Sequence, residues 1–568
     1  MDQDQDHSKE SDEPIQKRRK LDDNTNDTTN DNSLRRENLK QRVVESPKQK
    51  VVKSPFQLTS IRDLPASSNL DTVSLKDILG DPLISECWEF NYLHNLDFLM
   101  EQFDEDIRNL VKVNVIHGFW KREDPSRLYL MERALKYPNI NLLTAYMPEM
   151  FGTHHSKMFI LFRHDSTAQV IIHTANMIPF DWTNMTQAVW KSPLLPLLDT
   201  EKPNLTDSTE MGSGGKFKLD LLNYLRAYDT KRIICKPLIE QLSKHDFSEI
   251  RASLVWQVFQ ESKASSLTHQ KQHGAGQVLQ KYSSPYLAVE PNQKIAVQIS
   301  SIASLGPTDK WLNQTLFKAL GTSKSPTSKP KFKIIFPTAD EVRRSLNGYA
   351  SGNAIHTKIL TPAQGKQLSY LKPMLCHWAG DGPQHQTSSP QPPEATSSFN
   401  SNTNSQPQQS NQNAHRKRAA PHIKTYMRFS SSSLKSIDWM LVTSANLSKQ
   451  AWGENTNAAG EVRICSYEIG VLVWPSLWGE EASMVPCFGT DTPLAALDLQ
   501  TDCEVKETND NGKRVKENEG STTQDEGVLI GVRMPYDLPI IPYAKNDTPW
   551  CATASYTEPD WMGQTWNT

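Results

Sequence analysis

Paired cysteines are missing from this chain. Its seven cysteines, Cys87, Cys235, Cys376, Cys465, Cys487, Cys503 and Cys551, are scattered, odd in number and nowhere spaced as CxxC. That pattern argues against a disulfide framework or a structural zinc site, and for a reducing compartment. No run of about 18 apolar residues occurs, so no membrane-spanning helix is expected. The first residues, MDQDQDHSKE, lack an apolar segment, and no secretory leader is expected. Charge of one sign is absent as well: 62 basic residues stand against 65 acidic ones, a net charge of -3. Any cationic groove for nucleic acid must therefore be local.

What is present is enough for more than one core. The 568 residues are 37% hydrophobic, while a mean hydropathy of -0.59 leaves a sizeable fraction outside any core. Residues 1–54 are rich in Asp, Asn, Lys and Ser and read as a disordered tail. Within that tail Lys17, Arg18, Arg19 and Lys20 form a basic cluster that reads either as a nuclear-import signal or as a solvated charge run.

From residue 55 onward β-branched apolar runs at 113–120, 141–146 and 169–174 alternate with helical spacing at 126–137 and 218–228. This is the texture of an α/β domain, expected over residues 55–265. The same texture returns over 266–568, with a helix expected over 309–320 between Thr308 as N-cap and Gly321 as stop. Strands are expected at 333–337, 440–443 and 468–474. Low-complexity insertions near 380–414 and 499–527 are too polar to pack and read as surface excursions.

A bare His-x-Lys pair carries little information, because it occurs six times: His7/Lys9, His155/Lys157, His269/Lys271, His356/Lys358, His415/Lys417 and His422/Lys424. Two of the six share a second element. His155-Ser-Lys157 is followed by Thr174-Ala175-Asn176, and His422-Ile-Lys424 by Ser444-Ala445-Asn446, with His-to-Asn spacings of 21 and 24. A polar acceptor then follows each triplet, Gln187 in the first half and Glu468 in the second. One set of parts per half is what a duplicated domain leaves behind. His356/Lys358 lacks the triplet and reads as structural or as a substrate-side contact.

Residues i and i+2 of a strand project to one face, so each His and Lys would point together, with the Asn added from a neighbouring strand end. Two such halves facing each other supply a nucleophile, a proton donor for the leaving oxygen, and cations for the remaining phosphoryl oxygens. No carboxylate cage for Mg²⁺ is apparent in the sequence. The lysines are thus expected to supply the charge that metals supply elsewhere, and no cofactor is expected.

The duplicated HxK…Asn pattern resembles the phospholipase D superfamily. The usual motif of that superfamily adds an Asp five positions after the lysine, where this chain has Phe162 and Phe429. That departure fits the branch formed by tyrosyl-DNA phosphodiesterases, which release a trapped topoisomerase I peptide from a DNA 3′ end. The strings at 151–158 (FGTHHSKM), 172–176 (IHTAN) with Asp181-Trp182, 421–428 (PHIKTYMR), 443–449 (TSANLSK) and 466–470 (SYEIG) agree with it. The resemblance implies two similar α/β/α sandwich domains with the active site at their interface.

By position, the resemblance makes His155 the nucleophile, and His422 the acid that protonates the tyrosine oxygen and then activates water. Lys157, Lys424, Asn176 and Asn446 would hold the non-bridging oxygens. Gln187 and Glu468 would orient the imidazoles crosswise, the neutral Gln187 leaving His422 free to shuttle protons. DNA contacts are implied for Ser300, Ser301, Ser304, Ser448 and Lys449, with Phe151 and Tyr92 stacking on terminal bases. Hydroxyls and amides touch phosphate without reading sequence, so no base preference is implied. The implied partners are single- and double-stranded DNA 3′ ends carrying tyrosyl peptides, met by a nuclear, monomeric enzyme. Two rivals are another superfamily nuclease or lipase, and an inactive DNA-binding module. A lipase would show a membrane-binding amphipathic helix, and none is found.

Overall fold

The computed structural model describes residues 50–147, 152–199, 209–257, 293–321, 330–379, 412–454, 463–493 and 527–568. The basic cluster at 17–20, Phe151, the expected boundary near 265 and most of both insertions lie outside these residues. Along the first part of the chain the strands are β1 (Lys50–Val52), β2 (Phe56–Leu58), β3 (Ile84–Phe90), β4 (Lys112–His117), β5 (Ile140–Thr144), β6 (Met158–Arg163), β7 (Ala168–His173) and β8 (Ala188–Lys191). There follow β9 (Ser253–Gln257), β10 (Lys294–Gln298), β11 (Lys331–Ile335), β12 (Leu375–Cys376), β13 (Thr425–Phe429), β14 (Ile437–Thr443), β15 (Glu468–Val473), β16 (Ser483–Cys487) and β17 (Val528–Arg533).

They form two sheets, and the sheets repeat one another. The first runs β2-β8-β7-β6-β3-β4-β5; the second contains β14-β13-β10-β11-β12, with β15 on β14. In both, the strand after the His-x-Lys pair (β6 or β13) is antiparallel to the strand that precedes the Asn (β7 or β14). On its other side it is antiparallel to β3 or β10, which in turn begins a run of parallel partners. The strand led or preceded by the polar acceptor, β8 or β15, lies antiparallel beyond β7 or β14. The duplication read from a handful of residues is therefore a duplication of topology.

The strands read as continuous apolar runs because both their faces are covered. In β6, Met158, Ile160 and Phe162 enter the large core cluster that also contains Tyr426, Leu441 and Ile469 of the second half, whereas Phe159 and Leu161 face a separate cluster with Leu99, Val113 and Val115. One apolar core thus runs through both halves.

Two expectations are corrected. β9, counted with the first half on sequence, is hydrogen-bonded to β15 in the second sheet, because its SLVWQ run supplies the edge that β15 needs. The last part of the expected tail is not loose: β1 pairs in parallel with β17, and the Ser54 amide donates to the Asp491 carbonyl at 2.8 Å. The helix expected at 309–320 is present and stops at Gly321, with a π-helical turn at Leu312–Leu316 before Phe317–Leu320. Ala414, at the end of the first insertion, is fully buried, its N–H donating to Asp537.

Candidate active site

His155 and Lys157 lie in the extended segment just before β6, and His422 and Lys424 in that before β13. They are not inside the strands, as the i, i+2 argument assumed, but each segment is held extended by the opposite half. The His155 amide donates to the Tyr467 carbonyl at 2.9 Å, and the Tyr467 amide to the Thr153 carbonyl at 2.9 Å. In the mirror arrangement the His422 and Ile423 amides donate to the Thr186 carbonyl at 3.1 and 3.0 Å, and the Thr186 amide to the Ala420 carbonyl at 2.9 Å. Each pair therefore docks beside the residue that precedes the other half's acceptor, Glu468 or Gln187.

The acceptors follow the same crossing. Glu468 Oε2 lies 2.9 Å from His155 Nδ1 and also accepts the Ser444 hydroxyl at 2.5 Å. Gln187 Oε1 accepts the Thr174 hydroxyl at 2.7 Å, and its Nε2 lies 3.1 Å from His422 Nδ1. Gly470 makes the first contact feasible. A Cβ there would stand 2.6 Å from Thr443 Cβ and from the Val442 carbonyl oxygen, so only glycine lets β15 close onto β14 with Glu468 over Ser444.

Both Asn residues are pinned alike. Trp182 Nε1 donates to the Asn176 carbonyl and Trp452 Nε1 to the Asn446 carbonyl, each at 3.0 Å. The Asn446 side-chain oxygen is consumed by the amides of Ser300 and Ser301 at 3.1 and 2.9 Å, which leaves its amino group for the cleft.

Sequence reasoning missed Asp181. Its Oδ2 lies 3.0 Å from His422 Nδ1 and also accepts the Asn176 amide at 2.6 Å. His422 thus has a carboxylate as well as the neutral amide of Gln187, and the expected uncharged environment does not hold. A proton on Nδ1 goes to Asp181; with Nδ1 bare, Gln187 can donate to it. Either tautomer is served. The available signal was a carboxylate five residues after Asn176, matched in the second half only by Ala451.

His155, His422, Asn176, Asn446, Glu468, Asp181, Tyr92, Ser300, Ser301 and Ser448 line one cleft of about 670 Å³. Tyr92, 38% exposed, stands edge-on to His155 with ring centroids 5.7 Å apart. His356, read on sequence as structural or as a substrate-side contact, also lines the cleft, whereas Ser304 and Lys449 do not. The Ser448 hydroxyl is already used as N-cap of the turn Lys449–Trp452, accepting the Ala451 amide. Lys157 and Lys424 lie beneath the cleft, 0% exposed, each Nζ donating to the carbonyl of its own histidine. Deeper still, His154 Nδ1 donates to the Asn91 carbonyl at 2.8 Å and its Nε2 accepts from Tyr228 at 3.0 Å.

Electrostatically the site holds two buried lysines, each disfavoured as a cation by its surroundings. Burial lowers Lys157 to about 8, and burial together with Lys157 pushes Lys424 well down. Burial and Lys424 hold His422 at about 4, and burial also lowers His155, against the pull of Glu468. Burial presses the carboxyls of Glu468 and Asp181 upward, but their histidines outweigh it and both stay below the ordinary range. Burial thus favours the neutral form of His155, in which Nδ1–H donates to Glu468 and the Nε2 lone pair is left for attack, as a nitrogen nucleophile requires. Among the described residues no group of three or more His, Cys, Asp or Glu is arranged to hold a metal ion.

Two imidazole–lysine–asparagine sets, each oriented by the other half of one chain, define a phosphodiesterase of the duplicated His-x-Lys class. Comparison with known proteins narrows this: the family model for tyrosyl-DNA phosphodiesterase matches residues 55–544, and the chain belongs to that family. It is 30% identical to a probable tyrosyl-DNA phosphodiesterase of Schizosaccharomyces pombe, over 93% of this chain and 97% of that one. It is 28% identical to tyrosyl-DNA phosphodiesterase 1 of Arabidopsis thaliana, over 90% of this chain and 76% of that one. A crystal structure of the yeast tyrosyl-DNA phosphodiesterase shares the fold with a TM-score of 0.57 at 21% identity, covering 88% of this chain and 99% of that one.

Proposed function

We propose that this chain hydrolyses the phosphodiester linking a tyrosine, within a topoisomerase I-derived peptide, to the 3′ end of single- or double-stranded DNA. The observation that carries the reading is the crossed pairing of Glu468 with His155, and of Asp181 and Gln187 with His422, around one cleft.

In this mechanism His155 Nε2 attacks phosphorus and the phosphorus–oxygen bond to tyrosine breaks. Its electron pair stays on the phenolic oxygen, which takes a proton from His422. The product is a phosphohistidine on DNA. A water then gives its proton to His422 and attacks phosphorus; the P–N bond breaks, its electrons return to His155, and a DNA 3′-phosphate leaves. Lys157, Lys424, Asn176 and Asn446 offset charge on the non-bridging oxygens. The phosphate's own charge raises the depressed pKa of His422 on binding, which supplies the proton the first step needs. Ser301, Ser448 and Tyr92 in the cleft, the buried Ser300 beside them, and Ser304, Lys449 and Phe151 are the proposed DNA contacts.

The test is a 3′-phosphotyrosyl oligonucleotide assayed in EDTA. Turnover that survives chelation and is lost in His155→Ala supports the reading; hydrolysis of phosphatidylcholine alone would replace it with the lipase. With an aryl leaving group that needs little protonation, His422→Ala should accumulate a protein–DNA adduct. Nuclear localisation through residues 17–20 is part of the proposal and is checked by fusing residues 1–54 to a fluorescent protein. Light scattering checks the monomeric state.

A further inference from the structure

Glu89 is a buried acid that the mechanism does not use. It sits in β3, fully buried, with Val115 of β4 and Phe159 of β6 as its cross-strand neighbours. Among the described residues neither of its carboxylate oxygens receives a hydrogen bond. His94 is its ion-pair partner: Nδ1 lies 2.8 Å from Oε2, close enough for the pair but without the alignment of a hydrogen bond. Both side chains are 0% exposed. A lone carboxylate in such surroundings is strongly disfavoured, so the pair retains a proton.

The other ring nitrogen shows what that proton does. His94 Nε2 lies 3.1 Å from the Asn91 carbonyl, which can only accept, so Nε2 carries a hydrogen. Nδ1 faces a carboxylate. With acceptors at both nitrogens, one further proton must lie between His94 and Glu89; without it a lone pair would meet a carboxylate at 2.8 Å. The neighbouring histidines are held differently. Burial keeps His117, 6.5 Å from His94 between ring centroids, and His154 neutral, each at about 3.

The Asn91 carbonyl connects this pair to the cleft. It also accepts His154 Nδ1 at 2.8 Å, and His154 adjoins His155. Asn91 Nδ2 donates to the Ala175 carbonyl at 3.3 Å, one residue before Asn176, and its Oδ1 accepts the Tyr92 amide at 2.9 Å. The Met177 amide donates to the Leu93 carbonyl at 2.9 Å, and the Asn95 amide to the Met177 carbonyl at 2.7 Å. Tyr92, which lines the cleft edge-on to His155, therefore stands on a turn whose inner side is the Asn91 carbonyl and the His94 ring. We propose that the Glu89–His94 ion pair positions the cleft: it holds His94 against the Asn91 carbonyl, and so fixes the 91–95 turn and Tyr92 beside His155. Both are positioning residues that act through Tyr92. The inference rests on the phosphotyrosyl reading above, since Tyr92 is there a proposed DNA contact.

The experiment uses the full chain with His94→Gln, with Glu89→Gln and with both, on a 3′-phosphotyrosyl oligonucleotide. Mildly acidic buffer keeps Lys157, whose pKa is about 8, charged throughout. His94→Gln strands the carboxylate, and KM should rise about tenfold, the order of one base–aromatic contact, with kcat less affected. Adding Glu89→Gln removes the stranded charge and should bring KM most of the way back, and the urea midpoint with it. Glu89→Gln alone, whose carboxamide can donate to Nδ1, should stay close to the unmodified chain. In a Tyr92→Ala background His94→Gln should change KM by less than about twofold, because the contact it acts through is gone. Should His94→Gln fail to fold, the combined variant decides: folding with near-normal KM supports the pair, and failing likewise overturns it. A combined variant worse than His94→Gln, or a KM effect undiminished without Tyr92, would overturn the positioning role while leaving the phosphotyrosyl activity standing. No turnover by the unmodified chain would remove the phosphotyrosyl reading and this one with it.

Discussion

Nδ1 of His155 and Oε2 of Glu468 meet at 2.9 Å although 313 positions separate them, because each half of the chain lends its acceptor to the histidine of the other. The charge on Glu468 favours the proton on Nδ1, which leaves Nε2 unprotonated for the proposed attack on phosphorus. Glu468→Gln keeps the shape and removes that charge, so either tautomer becomes tenable. The expected outcome is a kcat lowered by roughly 10²–10⁴-fold, the range for losing an oriented acid–base partner, with KM little changed. Single-turnover cleavage of a 3′-phosphotyrosyl oligonucleotide measures it. A loss confined to KM would assign Glu468 to substrate binding instead.

Asp181 acts on the other imidazole with the opposite consequence. Burial and Lys424 depress His422, and Asp181 is the group that pulls it back up. Asp181→Asn removes that pull, so His422 loses its proton at lower pH than before. The basic limb of the kcat/KM profile should therefore move to lower pH, most clearly for a tyrosine leaving group that needs protonation. With an aryl group of low basicity the shift should shrink. A basic limb that stays in place would show that another group donates the proton.

How far the sequence was legible follows from what each feature depends on. The two His-x-Lys pairs and their Asn triplets could be found because they recur, and recurrence separates them from four chance pairs. The crossing of Glu468 to His155 was implied by the family resemblance and not by recurrence, and the contact at 2.9 Å agrees with it. Asp181 was not legible, since it has no counterpart in the second half and acts through a contact 241 positions away in sequence, between Asp181 and His422. The membership of β9 in the second sheet depends on which edge is free after both halves have folded, and local apolar content cannot report that. His356 lines the cleft through the backbone pairing of its amide with the Ser300 carbonyl at 2.8 Å, again a tertiary fact.

Lys157 gives a separate pH dependence. Burial has brought it to about 8. Above that pH it is neutral in the free enzyme and must take up a proton to meet an anion. Inhibition by inorganic phosphate should weaken as pH rises through about 8, and Lys157→Met should flatten that dependence as well as weaken binding. The check is a phosphate inhibition constant measured at several pH values at constant ionic strength, because screening would otherwise mimic the trend.

Beneath His155, the Tyr228 hydroxyl satisfies His154 Nε2 and meets the Tyr224 hydroxyl at 3.0 Å. Burial keeps His154 neutral, with a pKa of about 3, so its Nε2 must accept a hydrogen bond. Tyr228→Phe leaves that nitrogen unpaired in the interior, which costs about 1–3 kcal/mol. Urea unfolding should show this loss, and kcat should fall modestly because His154 adjoins His155. An unchanged unfolding midpoint would mean that the buried hydroxyl network contributes little.

His377 sits far from this chemistry and tests the electrostatics of the second half alone. Its Nε2 lies 2.9 Å from Asp547 Oδ2 and its Nδ1 3.5 Å from Glu341 Oε1, with the Tyr543 ring beside it at a 5.0 Å centroid distance. Burial opposes protonation, but the two carboxylates outweigh it and raise the pKa above its ordinary value. A histidine raised on folding contributes stability that is fully present below its unfolded pKa, about 6.5, and is lost as pH rises through the higher folded value. The stability difference between the unmodified chain and His377→Gln should therefore be largest in mildly acidic buffer and shrink in alkaline buffer. Denaturant titrations at both ends of that range measure it; a difference that grows with pH would mean that His377 is held neutral.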